Sequence, residues 1–182
     1  MQPNPDYAPG TLSTPVQEPI ITLVQLFREE LGLQSQQVVV YNQKWLIPPT
    51  GDLFIVLAFE GSEPYSWSKN YIPDLPDQLI SVQTMNSAEL YKLTLYCSNA
   101  ASRIRMNEVI LAFSSDRSIR LQELYQFKIA NLSESFLDTS AVEATARLNR
   151  YDISFRVLTS YEKRTPVPFF DTFPPPKVTI TA

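Results

Sequence analysis

The apolar positions along this chain change spacing several times, and each change marks an element. Ile20, Leu23, Val24, Phe27 and Leu31 fall at i, i+3, i+4, i+7 and i+11, a single stripe that predicts an amphipathic helix on a core. Thr14-Pro15-Val16-Gln17 resembles a capping box with proline at the first helical position, Pro19 also suits a first turn, and Gly32 is placed to stop the helix. Gln37 to Tyr41 and Lys44 to Ile47 read as short strands. Leu53 to Phe59 is apolar without a break, which predicts a central strand covered on both faces.

Gly61 to Asp77 contains three prolines and no period, and is expected to be an irregular loop. Gln78 to Met85 is strand-like, and Tyr91, Leu93, Leu95 and Cys97 then alternate with Lys92, Thr94, Tyr96 and Ser98, the pattern of a half-buried strand. Ser98 or Asn99 can cap a second helix running to Phe113 with Ile104, Ile110, Leu111 and Phe113 inward. Residues 117–123 suggest a short helix or turn, and Tyr125, Phe127 and Ile129 another strand. In the last element Tyr151, Ile153, Phe155 and Val157 point one way and Arg150, Asp152, Ser154 and Arg156 the other. The fold class these elements predict is α+β, a mixed, largely antiparallel sheet with two main helices packed on one face and extended N- and C-terminal arms.

The fifteen prolines fall in three clusters, Pro3–Pro19, Pro48–Pro76 and Pro166–Pro176, so most regular structure is expected between the last two. The expected organisation is an extended arm over 1–17, a single α+β domain over 18–164 and a proline-rich arm over 165–182. A chain of 182 residues can bury about 70% of its unfolded surface, enough for a core.

Composition narrows the chemistry by what it lacks. There is no histidine, a single cysteine (Cys97) and four glycines, none beyond Gly61. Imidazole-based nucleophiles and bases, HExxH zinc sites, intrachain disulfides, cysteine-ligated clusters and glycine-rich phosphate loops are thereby excluded. The reading is therefore of a non-enzyme without cofactor or metal. No run approaches the ~20 apolar residues of a membrane helix, and the N-terminus has no basic, apolar leader pattern. A soluble protein assembled in a cytoplasm is expected.

Net charge is −4, but residues 1–77 carry nine acids and three bases while residues 78–182 carry ten acids and twelve bases. Eight of the nine arginines lie between Arg103 and Arg164. Such a dipolar chain can stack on copies of itself. Arg103, Arg105, Arg117, Arg120, Arg147, Arg150 and Arg156 form a basic side; Arg103, Arg105, Arg147, Arg150 and Arg156 are candidate protein contacts, a nucleic-acid surface is the alternative, and local pairing with Asp152 is the simpler account for Arg150 and Arg156. Tyr65, Trp67 and Tyr71 in the expected loop are candidate interface aromatics, with local packing equally open. Asp74 and Asp77, with Glu60 and Glu63, are the best carboxylate cluster, for hydrolysis or a hard cation, although turn chemistry explains them more simply. Cys97 reads as a buried small hydrophobe. Lys177–Ala182 is a tethered strand-former that could add to a neighbouring sheet edge, or fray.

The segment AELYKLTLYCSNAASRIRMNEVILAF, and after a variable middle ATARLNRYDISFRVLTSYE, resemble the neck or tail terminator proteins of tailed bacteriophages. Arg147, Arg150, Asp152, Ile153 and Phe155 carry the second match, which with the first spans roughly residues 20–161. Position 98 is Ser where relatives often have Gly, and both arms lie outside the match. The resemblance implies a virion protein of the neck and tail that assembles with itself into a ring, commonly six-fold. It would contact tail tube or sheath proteins and the head connector, with genomic DNA at most passing through the lumen. Another virion joining part, such as a head-completion or baseplate adaptor, and a carboxylate-based cell-wall hydrolase are the alternatives.

Overall fold

The computed structural model describes residues 11–13, 17–41, 53–75, 78–97, 102–133, 135–143 and 146–167. The Thr14-Pro15-Val16 cap, the Lys44–Ile47 strand, the Ser98/Asn99 cap and the Lys177–Ala182 strand lie outside the described residues. The described elements in chain order are β1 (Thr11–Ser13), α1 (Pro19–Glu30), β2 (Val38–Val40), β3 (Phe54–Leu75), β4 (Gln78–Cys97), α2 (Ser102–Phe113), α3 (Asp116–Leu124), β5 (Phe127–Ala130), β6 (Leu137–Asp138), β7 (Ala141–Glu143) and β8 (Ala146–Val167). The fold is α+β, with a mixed, mostly antiparallel sheet.

The principal strand order is β1-β8-β4-β3-β2, with β5, β6 and β7 also pairing along β8. Only β2 with β3 runs parallel, Val38 to Val40 opposite Ile55 to Leu57. The unbroken apolar run is covered on both faces only over Leu53 to Leu57, all buried, where β3 lies between β2 and β4; Phe59, expected to be covered too, is 53% exposed. In β4 the predicted inward residues Tyr91, Leu93, Leu95 and Cys97 are buried, but Thr94, expected outward, is buried as well because β4 is an interior strand between β3 and β8.

The helix α1 starts at Pro19, the later of the two starts the sequence allowed, and buries Leu23, Val24, Leu26 and Phe27. It stops where Gly32 adopts φ +63° and the Leu33 amide donates to the Arg28 carbonyl at 2.8 Å, the left-handed glycine closure of a helix end. Arg28 then donates to the Ser35 and Val38 carbonyls at 2.6 and 3.0 Å and fastens this end to β2.

Aromatic contacts join the helices to the sheet. Phe27 meets Phe113 edge-on with centroids 5.0 Å apart, Phe113 meets Phe155 at 4.8 Å, and Phe155 stacks on Tyr91 at 5.8 Å. In α2 the buried residues are Val109, Ala112 and Phe113, whereas Ile104 and Leu111, expected inward, are 70% and 67% exposed. Positions 109, 112 and 113 form the i, i+3, i+4 face, which turns 104 and 111 to the opposite side. Residues 116–124 form a third helix whose N-cap Ser115 accepts from the Ser118 amide.

The largest departure from expectation is the segment Gly61 to Asp77. Its described part is not a loop: β3 continues to Leu75, and Gln78–Met85 and Tyr91–Cys97 are one strand, β4. The prolines are accommodated because β3 shifts register beside them, between Pro64 and Ser66 and between Pro73 and Leu75. Beyond Leu57 the other side of β3 has no partner strand among the described residues, and an edge tolerates a residue with no N–H to give. Likewise β8 runs through Pro166, opposite Ile80, to Val167, and β1 pairs with it at Glu162 to Arg164. Parts of both expected arms thus belong to the sheet. No helix among the described residues is long and apolar enough to cross a membrane.

Candidate interaction site

Gly61–Leu75 of β3 with the facing lengths of β4 and β8 forms a three-stranded ribbon. At ~3.3 Å per residue it is roughly 50 Å long, against the ~20 Å of a usual strand. Every residue of β3 from Ser62 to Pro73 is exposed. Because paired residues share a face, Trp67 lies in a row with Met85 and Tyr161, and Tyr71 in a row with Ser81 and Thr165. Trp67 is 78% exposed, and the Lys69 ammonium stands 5.4 Å from the Tyr71 ring centroid. Tyr65 occupies the bulge between Pro64 and Ser66 and is also exposed. The three aromatics expected on a loop therefore stand on a strand, where Trp67 and Tyr71 are brought to one face.

The described candidate arginines, Arg105, Arg150 and Arg156, are each engaged by a different acid. Arg105 donates to Glu108 at 2.9 Å and to the Leu31 carbonyl at 3.0 Å, tying α2 to the end of α1. Arg150 pairs with Asp152 at 3.3 Å and lies over the Tyr96 ring, while Arg156 reaches Glu63 at 3.4 Å. The expected Arg150–Asp152 pairing is present, but Asp152 is buried rather than on an open face. Lys92 supplies its second cation at 3.5 Å. The Arg147 backbone pairs with Val142 on β7; the Arg103 and Arg147 side chains lie outside the described ones.

Of the four candidate carboxylates, the two whose side chains are described meet different cations. Glu60 faces Lys92 at 4.0 Å beside a 240 Å³ hollow that Asp152 also lines, and Glu63 is engaged by Arg156. Asp77 and the Asp74 side chain lie outside the described residues. Among the described residues no group of three metal-ligating side chains comes together.

A cluster absent from the sequence expectations sits where the ribbon leaves the core. Glu89, 6% exposed, occupies the apolar phase of β4 on the same face as Tyr91 and Leu93. Its Oε2 accepts from the Tyr91 hydroxyl at 2.7 Å, and its Oε1 from Thr159 at 3.2 Å and Tyr161 at 2.6 Å. Three hydroxyls thus replace the water lost on burial. Burial, and then the bond to Glu89 and its charge, push the Tyr91 hydroxyl well above the usual tyrosine range, and Tyr161 in the same direction. The cluster floors a cavity of about 590 Å³ whose other walls include Glu18, Ile21, Tyr41 and Phe59. The signal was present in the sequence: a glutamate in phase with Tyr91, Leu93 and Leu95, and Thr159 and Tyr161 in phase with Phe155 and Val157.

Compared with known proteins, the chain matches no family model and no curated protein.

Proposed function

We propose that this chain is a structural virion protein, a neck or tail terminator that closes the tail tube of a tailed phage as a ring and joins the tail to the head connector. The observation that carries the reading is the ribbon. It exposes Tyr65, Trp67, Tyr71 and Ile72 along a strand whose outer side has no partner strand among the described residues, a surface that a single copy leaves uncovered and that neighbouring subunits would bury. The resemblance of β4–α2 and of β8 to phage terminators supplies the particular role. Partners on this reading are further copies of the chain, tail tube or sheath proteins and the head connector, and no reaction is assigned to it.

Immunogold labelling of intact particles with antibody against the chain is the test. Gold at the head–tail junction is the expected result. Gold at the distal end would move the chain to the baseplate, and particles without label, with the protein detected in lysate and its epitope accessible, would remove the structural role.

A further inference from the structure

We propose that the cavity at the foot of the ribbon is a receptor for a guanidinium or ammonium group, carried on a basic side chain of a second copy of this chain. The proposal rests on the assembly reading above and specifies one contact within it. Its core is the Glu89 carboxylate, which makes no ion pair with any described residue although it is 6% exposed. The three hydroxyls that it accepts from occupy three of about four lone-pair sites of a carboxylate and hold its orientation. They supply no positive charge, and a buried carboxylate is most favourable when a cation balances it.

The rest of the cavity suits the same ligand. Tyr41 and Phe59 stand exposed on its walls, and Phe59 meets Tyr91 edge-on at 5.6 Å. Aromatic faces attract cations, guanidinium most readily because it also stacks flat. Glu18, exposed at the start of α1, adds a second carboxylate close enough to bear on both Tyr91 and Tyr161. The cavity therefore combines two acids with aromatic walls, and among the described residues no base lines it.

The occupant follows from charge complementarity between two surfaces of the chain. Glu18 and Glu89 make the cavity acidic, whereas Arg120 on the exposed side of α3 makes no ion pair among the described residues. A head-to-tail contact brings two unlike surfaces of the same chain together, so an acidic pocket on one copy and an exposed arginine on the next are complementary.

The test uses the full chain. Self-association is measured by sedimentation velocity at 50 and 500 mM salt for the wild type, Glu89→Gln and Glu18→Gln, with N-acetyl-arginine amide as competitor and N-acetyl-citrulline amide as its uncharged match. The wild type is expected to self-associate, with association at least ten-fold weaker in either variant, and dissociated by the arginine probe but not by the citrulline one. Glu18→Gln keeps the test open if Glu89→Gln does not fold, because the Glu18 side chain makes no capping bond. Self-association that both variants and the probe leave unchanged overturns the pocket contact while the assembly reading stands. A wild type that stays monomeric overturns both. Binding of the arginine probe only after Lys44→Gln would show that the chain's own Lys44, three residues beyond Tyr41, fills the cavity, and overturns the proposal.

Discussion

The Tyr161 hydroxyl donates to Glu89 Oε1 at 2.6 Å, joining β8 to β4 across 72 residues of sequence at the point where core gives way to ribbon. Thr159 donates to the same oxygen at 3.2 Å, so the two hydroxyls share one acceptor. Tyr161→Phe is expected to cost about 1–2 kcal/mol, as is Thr159→Val. Because each partly compensates for the other, the double variant should depart from additivity by about 0.5 kcal/mol or more. Urea unfolding of the four proteins of this cycle measures it.

Alkaline pH should weaken the fold through Tyr91. Its hydroxyl stays protonated in the folded chain well above the value of 10.0 at which an unfolded tyrosine titrates. Unfolding above that pH therefore releases a proton, and the stability this group contributes is complete below pH 10 and declines as pH rises further. The limiting slope is about 1.4 kcal/mol per pH unit for Tyr91, with Tyr161 acting in the same sense. Urea midpoints at pH 9, 10 and 11 should fall more steeply for the wild type than for Tyr91→Phe.

Gln126, the residue after the C-cap of α3, holds φ +55° without being glycine. A side chain there meets the Cβ crowding of the left-handed region, which costs about 1 kcal/mol. Gln126→Gly should raise the thermal midpoint by several degrees, and Gly32→Ala, at φ +63° in otherwise open space, should lower it by a similar amount. Differential scanning calorimetry of both variants checks the pair.

Phe155 and Trp67 should separate folding from assembly. Phe155 is 1% exposed and touches both Tyr91 and Phe113, so Phe155→Ala is expected to cost about 3–5 kcal/mol. Trp67, 78% exposed, should change stability by no more than about 0.5 kcal/mol when replaced by Ser. On the assembly reading Trp67→Ser nevertheless weakens self-association, which sedimentation velocity reads at matched concentrations.

Charge reversal at Arg105 should act inside one copy rather than between copies. Its guanidinium serves the Leu31 carbonyl and Glu108, so Arg105→Glu is expected to cost about 1–3 kcal/mol of fold stability. Unfolding experiments on dilute, monomeric protein distinguish that loss from a loss of assembly.

Much of the inner domain was legible because its apolar periods are strong. The α1 stripe, the unbroken run of β3 and the alternations of β4 and β8 each depend on one element and its burial. The ribbon was not legible for the opposite reason. Pro64, Pro73 and two serines around Trp67 carry every local mark of a loop, and what overrides them is a ladder formed with residues of β4, itself held by β8. The orientation of α2 was missed because Ile104 and Leu111 are as apolar as Val109 and Ala112, and only contact with Phe27 and Phe155 selects between the faces.

By itself the sequence determined the α+β composition of the inner domain, the glycine stop of α1, the burial of Cys97 and the lack of imidazole groups and of an intrachain disulfide within these 182 residues, since these depend on residue types and short periods. Tertiary structure alone decided the length of the ribbon, the row of Trp67 with Met85 and Tyr161, the separate pairings of Arg105, Arg150 and Arg156 and the Glu89 cluster. Each of these joins residues far apart in the chain, and a pairing register between distant strands is set by the total burial that it achieves, which no local stretch of sequence contains.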